Sequence, residues 1–214
     1  MPRPAPLPEF PGLLVEQDDT VWDGRFPLQR IRFRQRRFDG ALSAPRTWEL
    51  WRRGRAVALL PYDPVADAVV LIEQFRLPAL AAGLDPVLVE VPAGLCDPGE
   101  DVATTLSRET EEELGIPARR TLPIGDFLLT PGGSDELVSL FVGEVTAPPC
   151  DPDGLVGLAG LQSEAEDIRV RVWPAGRAIE AALEGRLPNS VIAIALLWLA
   201  VKRPLLRELW RPPA

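Results

Sequence analysis

The chain has 214 residues, 46% hydrophobic and 25% charged, which is enough for one large domain or for a domain with a small accessory unit. It contains no histidine, and this excludes a Ser-His-Asp triad, a Cys-His nucleophile and a histidine-ligated zinc site. The net charge of −8 argues against binding to nucleic acid or to an anionic membrane, because phosphate backbones are bound mainly by clustered Lys and Arg.

The cellular location is predicted from the cysteines and the apolar segments. Cys96 and Cys150 are too few for a disulfide framework, and reduced thiols are typical of a cytoplasmic protein. The N-terminal residues have no apolar core of signal-peptide length. The longest apolar run, residues 191–201, is about half the length that spans a bilayer. We therefore expect a cytoplasmic protein in which this run forms a buried helix.

Residues 1–53 are predicted to form a tail and a small antiparallel β unit. Five prolines in residues 1–12 indicate an extended tail. Residues 21–51 alternate in the manner of strands, most clearly at residues 30–36, where four arginines share one face. Asp39 and Gly40 predict a hairpin turn before the next strand. The arginine face is either solvated or meets carboxylates of a second subunit, since arginines in a row repel one another.

Residues 54–214 are predicted to form the main domain. Strands are expected at residues 56–60, 68–75, 87–91, 122–129, 137–145 and 168–173. Residues 147–163 are rich in Gly, Pro and Asp and predict a long surface loop. Two helices, at residues 176–183 and 190–202, close the chain. Mixed strands with helices on both sides predict an α/β sandwich rather than a series of βαβ repeats.

Between these strands lies the segment that organises the chain, residues 94–116 (GLCDPGEDVATTLSRETEEELGI). Turn residues open the segment, and Gly115 ends the helix that follows in the left-handed conformation that glycine adopts most easily. The apolar stripe of this helix is expected to comprise Val102, Ala103, Leu106, Thr110 and Leu114. We therefore expect the helix to pack on the rest of the domain through this stripe.

Three glutamates share one sector of the same helix: Glu109, Glu112 and Glu113. Like charges at this spacing destabilise a helix by about a few tenths of a kcal/mol per pair, and a bound cation would offset the repulsion. Oxygen ligands suit Mg²⁺ or Mn²⁺, which bind through one or two carboxylates together with substrate phosphates. The alternative is a solvated acidic face, which is the usual fate of a charge run.

The spacing of residues 94–116 resembles the signature of the Nudix hydrolases at its fixed positions, with one departure at Thr110, where the family usually has a bulky aliphatic residue. Beyond the signature, most of residues 20–200 is similar to the ADP-ribose pyrophosphatase branch. Pro131 stands sixteen positions beyond Gly115, as in that branch, and residues 69–76, 89–94 and 164–170 also resemble it. The resemblance implies an α/β Nudix fold: an α/β/α sandwich with a mixed sheet, preceded by the N-terminal antiparallel β unit.

The resemblance also implies a metal site and a general base. Glu109, Glu112 and Glu113 match the metal carboxylates, and the carbonyl of Ala93 matches a backbone ligand. Glu112 and Glu113 are catalytic candidates for the same reason. Glu164 matches the carboxylate on a mobile loop that takes a proton from water. Glu166 is the alternative base.

Substrate contacts and assembly follow from the same resemblance. The candidate substrate-binding residues are Arg76, which suits bidentate contact with a phosphate, together with Glu136 and Phe26. Enzymes of this branch are commonly homodimers that exchange N-terminal strands, which places Phe26 and Trp22 near an interface. A homodimer is therefore expected, with a small-molecule nucleoside diphosphate sugar as its other partner.

The activity that the resemblance implies is Mg²⁺- or Mn²⁺-dependent hydrolysis of the pyrophosphate of a nucleoside diphosphate sugar. ADP-ribose, giving AMP and ribose 5-phosphate, is the first expectation. ADP-glucose or GDP-mannose is the alternative, because Thr47 and Trp48 stand where the family often has two arginines. A nucleotide-sensing module without catalysis is the alternative from another class, and the intact metal glutamates argue against it.

Overall fold

The structure, a computed structural model, describes residues 6–97, 99–161 and 166–211. The chain divides into two compact units. The first comprises Met1–Arg55 and Leu128–Leu137, and the second comprises Ala56–Phe127 and Val138–Ala214. The predicted division between residues 53 and 54, into a dimerisation unit and a hydrolase domain, stays a prediction.

The first unit is built on an antiparallel sheet of three strands in its described residues: β1 (Leu13–Trp22), β2 (Leu28–Gln35) and β3 (Arg46–Trp51). Ile31 and Phe33 of β2 are buried, and the ring of Phe33 lies edge-on to Trp48 at 5.4 Å between centroids. β1 begins at Leu13, eight residues before the predicted start of the strand region. Its run of acidic residues hides the alternation that marks a strand.

The arginine face of β2 contacts acidic residues of β1. The Nε atoms of Arg32 and Arg34 donate to Glu16 at 2.8 and 2.6 Å, and Arg30 forms a 3.3 Å ion pair with Asp19. A hydrogen bond from Arg34, which has the larger effect, and one from Arg32 hold the pKa of Glu16 below its ordinary value. Carboxylates of the same chain therefore neutralise this face, an arrangement that neither sequence-based interpretation anticipated.

The second unit is built on one sheet of eight strands in its described residues. Six of them follow the order β10-β11-β5-β4-β9-β8, and the other two are short strands, β6 and β7. The eight comprise β4 (Arg55–Asp63), β5 (Ala68–Phe75), β6 (Val87–Glu90), β7 (Ala93–Leu95), β8 (Arg120–Leu128), β9 (Leu137–Glu144), β10 (Leu155–Ala159) and β11 (Ile168–Pro174). β6 pairs with β5, and β7 pairs with β4. β10 corrects the predicted loop over residues 147–163, because it forms an edge strand inside that Gly-rich stretch.

Helices cover the sheet: α1 (Leu77–Ala81), α2 (Val102–Leu114), α3 (Ala175–Leu183) and α4 (Ser190–Leu209). Leu114 of α2 packs in one cluster with Val70 and Ile72 of β5. Val69 and Leu71, which point to the opposite face of the same strand, are also fully buried, and α3 packs against β5. The predicted α/β/α sandwich with a mixed sheet is thereby confirmed.

α4 continues beyond the predicted end at residue 202, through Pro204. A proline inside a helix removes one backbone hydrogen bond. The last turns are held by burial of Leu206 and Trp210, each 1% exposed, and by an ion pair of Arg203 with Asp67. Among the helices of the described chain, none combines the length and hydropathy that a membrane span requires.

Candidate active site

The C-terminal end of α2 follows the prediction, and a capping side chain fixes its N-terminal end. Asp101 caps the N-terminus, and its Oδ1 accepts hydrogen bonds from the backbone N–H groups of residues 103 and 104 at 2.9 and 3.0 Å. Gly115 ends the helix with φ of 66°, in the left-handed region. The carboxylates of α2 are therefore carried on a helix whose start and end are both fixed by local interactions.

The buried side of α2 differs from the predicted stripe at Ala103, Thr105 and Glu113. Ala103 is exposed, whereas Thr105 is fully buried. The hydroxyl of Thr105 donates to Oε2 of Glu100 at 2.8 Å, and the hydroxyl of Thr110 donates to the carbonyl of Leu106 at 2.6 Å. Hydrogen bonding allows threonine to occupy both buried positions, of which the predicted stripe included Thr110 and missed Thr105.

Arg108 is the cation at the centre of the α2 carboxylates. It forms ion pairs with Glu100 at 3.2 Å, with Glu109 at 2.9 Å and with Glu112 at 3.0 Å. Part of the repulsion that the sequence predicts on this face is therefore offset inside the protein. Glu112, whose side chain is 27% exposed, points to Arg108.

Glu113 is the most buried of the three candidate metal carboxylates, with 3% of its surface exposed. Its Oε2 accepts a hydrogen bond from the backbone N–H of Ala93 at 3.0 Å. Burial raises the pKa of Glu113 to about 8, and the negative charges of Glu109 and Glu166 act in the same direction. Burial also raises the pKa of Glu109. At these two positions, neighbouring groups do not fully offset the cost of burying an ionised carboxylate.

Because Gly94 has no side chain, the carboxylate of Glu109 can occupy the space beside it. A side chain built at residue 94 would overlap the carboxyl group of Glu109, so a larger residue would displace this carboxylate from its position beside β7. The required glycine of the sequence motif thus has a local steric reason.

Two charged groups from other elements act on the same carboxylates. Glu166 raises the pKa of Glu109 and of Glu113, whereas Arg76 lowers that of Glu113. Oε2 of Glu166 accepts a hydrogen bond from the backbone N–H of Leu161 at 3.0 Å, which holds this carboxylate at the end of its loop. The candidate base Glu164 lies outside the described residues.

Arg76 is held by residues that the sequence did not single out. Its Nε and Nη2 donate to Oε2 of Glu90 at 3.0 and 2.6 Å. The other oxygen of Glu90, Oε1, accepts a hydrogen bond from Nδ2 of Asn189 at 2.8 Å. Glu90 stands in the VEVPAG segment, and its burial between β5 and α4 is a long-range feature that no local pattern reveals.

In the first unit, the structure brings Phe26 and Glu136 together around Arg53. The guanidinium carbon of Arg53 lies 4.2 Å from the ring centroid of Phe26 and 4.8 Å from that of Trp51. Nη2 of Arg53 forms a 2.9 Å ion pair with Glu136. The sequence analysis did not predict Arg53 and Trp51 as site residues, because no local pattern shows that they lie beside the loop at residues 130–136.

The donor chemistry of α2 fits a divalent cation. Glu109, Glu112 and Glu113 and the Ala93 carbonyl offer only oxygen atoms, and the raised pKa values show that a nearby positive charge would favour two of these carboxylates. In the described part of the chain, no three acidic or cysteine side chains converge closely enough to form a metal cage. A cation bound through one or two of these carboxylates would take its remaining ligands from water and substrate phosphates.

Comparison with known proteins shows the family of the chain. A sequence model of the NUDIX domain matches residues 52–183, which is more than half of the chain. The chain belongs to the NUDIX family. A crystal structure described as an ADP compounds hydrolase superposes with a TM-score of 0.63 at 20% identity, covering 96% of this chain and 100% of that one, which supports the fold.

Curated relatives narrow the branch. The chain is 41% identical over 192 residues to the ADP-ribose pyrophosphatase of Escherichia coli (strain K12), covering 90% of each protein. It is 35% identical over 197 residues to the ADP-ribose pyrophosphatase of Haemophilus influenzae, covering 91% of this chain and 88% of that protein. The GDP-mannose pyrophosphatase of Salmonella arizonae is 29% identical over 189 residues, covering 88% of this chain and 95% of that protein.

Proposed function

We propose that this protein hydrolyses the pyrophosphate bond of a nucleoside diphosphate sugar, with ADP-ribose as the substrate and AMP and ribose 5-phosphate as products. The observation that carries the proposal is the pair formed by partly buried Glu109 and buried Glu113, with the charge of Arg76 acting on Glu113. This set of groups suits a cation and a diphosphate together. The names of the relatives with 41% and 35% identity support ADP-ribose.

The roles proposed for the second unit divide between cation and phosphate. Glu109, Glu112, Glu113 and the carbonyl of Ala93 would hold Mg²⁺, or Mn²⁺ in its place. A divalent ion bound there would neutralise charge on the diphosphate and lower the pKa of water. Arg76 would contact a phosphate, since a guanidinium matches phosphate oxygens in bidentate geometry.

Glu164 is the proposed general base, and Glu166 is the alternative. Gly160 lies between the end of β10 and these two residues, and loop closure over substrate often completes a catalytic site. Glu164→Gln should lower kcat by about 10²- to 10⁴-fold, as expected for a positioned base, while Mg²⁺ affinity stays the same. Glu166→Gln is the matched control and should reduce kcat less. A Glu164→Gln variant that keeps more than about a tenth of wild-type kcat would contradict the assignment.

Phe26, Arg53 and Glu136 are proposed to contact the nucleoside and its ribose. Aromatic and guanidinium groups can stack on a base, and a carboxylate accepts hydrogen bonds from ribose hydroxyls. GDP-mannose is the second candidate substrate, supported by the relative of that activity at 29% identity.

Product analysis decides among these substrates. The purified protein is incubated with MgCl₂ and separately with ADP-ribose, ADP-glucose and GDP-mannose, and phosphate-containing products are resolved by ion exchange. The expected result is AMP from ADP-ribose with the highest kcat/KM of the panel. Failure to hydrolyse any of the three, in Mg²⁺ or Mn²⁺, would contradict the proposal and favour a nucleotide-sensing role.

We also propose a cytoplasmic homodimer that exchanges strands of residues 1–53. The first unit exposes large apolar side chains, with Trp22 66% and Trp48 49% exposed, and such surface is typical of an interface. Light scattering should give about twice the chain mass of 23.4 kDa. A monomer mass at micromolar concentration, or full activity after deletion of residues 1–50, would refute the dimer.

A further inference from the structure

Asn189, at the start of α4, uses both ends of its side-chain amide. Its Oδ1 accepts hydrogen bonds from the backbone N–H groups of Val191 and Ile192 at 2.8 and 3.4 Å and so caps the helix. Its Nδ2 donates to Oε1 of Glu90 at 2.8 Å. Because backbone N–H groups can be met only by the oxygen, the cap fixes the nitrogen toward Glu90.

Glu90 divides its two oxygens between two partners. Its carboxylate is buried, with 4% of the residue exposed, at the end of β6. Oε1 faces Asn189, and Oε2 accepts from Nε and Nη2 of Arg76 at 3.0 and 2.6 Å. A buried carboxylate needs a partner for each oxygen, so the hydrogen bond from Asn189 sets the rotation of the group that Arg76 contacts.

Arg76 is thereby held by one edge of its guanidinium. Glu90 engages the Nε–Nη2 edge, so the Nη1–Nη2 edge points away from that carboxylate. The side chain is 42% exposed, and its charge interacts with those of Glu113 and Glu166. The outward edge has the fork geometry that binds two phosphate oxygens.

We propose that Asn189 is a positioning residue for phosphate binding. It fixes the carboxylate of Glu90, and Glu90 in turn holds the guanidinium of Arg76 with one edge toward the diphosphate. The inference rests on the proposed function, because it takes Arg76 to contact the substrate. The side chains of Glu90 and Arg76 would then connect the first turn of α4 to the carboxylates of α2.

Two substitutions separate positioning from capping. Serine at residue 189 can still cap α4, but its side chain is too short to reach Glu90, whereas alanine can do neither. With ADP-ribose and MgCl₂, Asn189→Ser and Asn189→Ala should both raise KM by about 3- to 10-fold, the size expected for one hydrogen bond, with kcat nearly unchanged. Only Asn189→Ala should lower Tm clearly. A KM that follows Tm instead, normal in Asn189→Ser and raised in Asn189→Ala, would overturn the inference.

A double-mutant cycle tests whether the effect passes through Arg76. Arg76→Ala should weaken kcat/KM, and Asn189→Ser should then add no further loss in that background. A purely structural role for Asn189 would lower kcat/KM by the same factor with and without Arg76. Additive losses would therefore overturn the inference.

A measurement without substrate distinguishes this inference from the proposed function. ¹⁵N NMR of the wild-type protein should show a protected Nε–H signal for Arg76, assigned by its loss in Arg76→Ala. Asn189→Ser should broaden this signal or speed its exchange with water. An unchanged signal would overturn the inference, whereas a changed signal in a protein that does not hydrolyse ADP-ribose would keep the positioning and reject the proposed function alone.

Discussion

Glu113 and Glu144 are two buried glutamates of the second unit, with 3% and 6% of their surface exposed, and their pKa values are shifted in opposite directions. Glu144, at the end of β9, accepts hydrogen bonds from Nε and Nη2 of Arg120, the latter at 2.9 Å. These bonds hold its pKa below the ordinary value. Glu113 accepts the backbone N–H of Ala93, and burial raises its pKa to about 8.

Charge compensation, together with burial, separates the two sites. Arg120 contacts Glu144 in bidentate geometry, so that a positive charge within the protein neutralises this carboxylate. Glu113 faces Glu109 and Glu166, whose negative charges add to the effect of burial, and Arg76 offsets them only in part. A carboxylate with a raised pKa beside others of its kind is the pattern of a functional site. We therefore interpret Glu144 as structural and Glu113 as functional.

The largest expected effect is on activity, in Glu113→Gln. Losing one proposed ligand of a divalent cation should lower kcat/KM by about 10²- to 10³-fold, because such an ion contributes several kcal/mol to catalysis. Stability without metal should change little, since glutamine resembles the protonated carboxyl group. Kinetics with ADP-ribose and thermal unfolding with and without MgCl₂ measure both effects.

Calorimetric titration supplies the control for this prediction. Mg²⁺ should bind the wild-type protein in the presence of a substrate analogue and should raise its Tm, and Glu113→Gln should weaken both effects. If the wild-type protein binds no divalent ion even with the analogue, the contrast drawn between Glu113 and Glu144 fails.

Features of the site that depend on local pattern were predictable from the sequence. α2 and the common sector of its glutamates follow from 3.6-residue periodicity, and the ends of the helix follow from Asp101 and Gly115. β5 was predicted with the bounds that the structure has, Ala68–Phe75, because its apolar run is bounded by turn residues.

Features that depend on tertiary contacts were not predictable. Glu90 meets Asn189 across 99 positions of sequence, and Arg53 meets Glu136 across 83. No local pattern reports such pairs. The same holds for the end of α4, where burial of Leu206 outweighs the helix-breaking tendency of Pro204. The roles of Glu164 and Phe26 stay predictions.

The pH dependence of stability should show the two glutamates acting with opposite sign. In metal-free buffer with EDTA, the raised pKa of Glu113 means that the folded state binds more protons than the unfolded state between the ordinary value of 4.5 and about 8. The free energy of unfolding should therefore fall as pH rises through this window, by at most about 1.4 kcal/mol per pH unit for one proton.

Urea denaturation at several pH values measures this slope. Glu113→Gln should flatten it, although Glu109, whose pKa is also raised, should leave part of it. Glu144 has the opposite sign, because its lowered pKa gives a contribution that is present above 4.5 and is lost as pH falls through the folded value. A wild-type slope identical to that of Glu113→Gln would break the comparison.

The smallest expected effect is that of Glu144→Gln, and it concerns stability alone. Glutamine keeps the shape but loses the charge-assisted hydrogen bonds with Arg120, at a cost of about 1 to 3 kcal/mol in the free energy of unfolding. Arg120 is half exposed, so water can solvate its guanidinium once the partner is gone, which keeps the cost below that of a fully buried broken pair. Because the carboxylate of Glu144 has its cation within the protein, kcat/KM for ADP-ribose and the Mg²⁺-dependent rise in Tm should match the wild type. A loss of activity comparable to that of Glu113→Gln, in a variant that urea denaturation shows to be folded, would mean that internal charge compensation does not separate structural from functional glutamates in this protein.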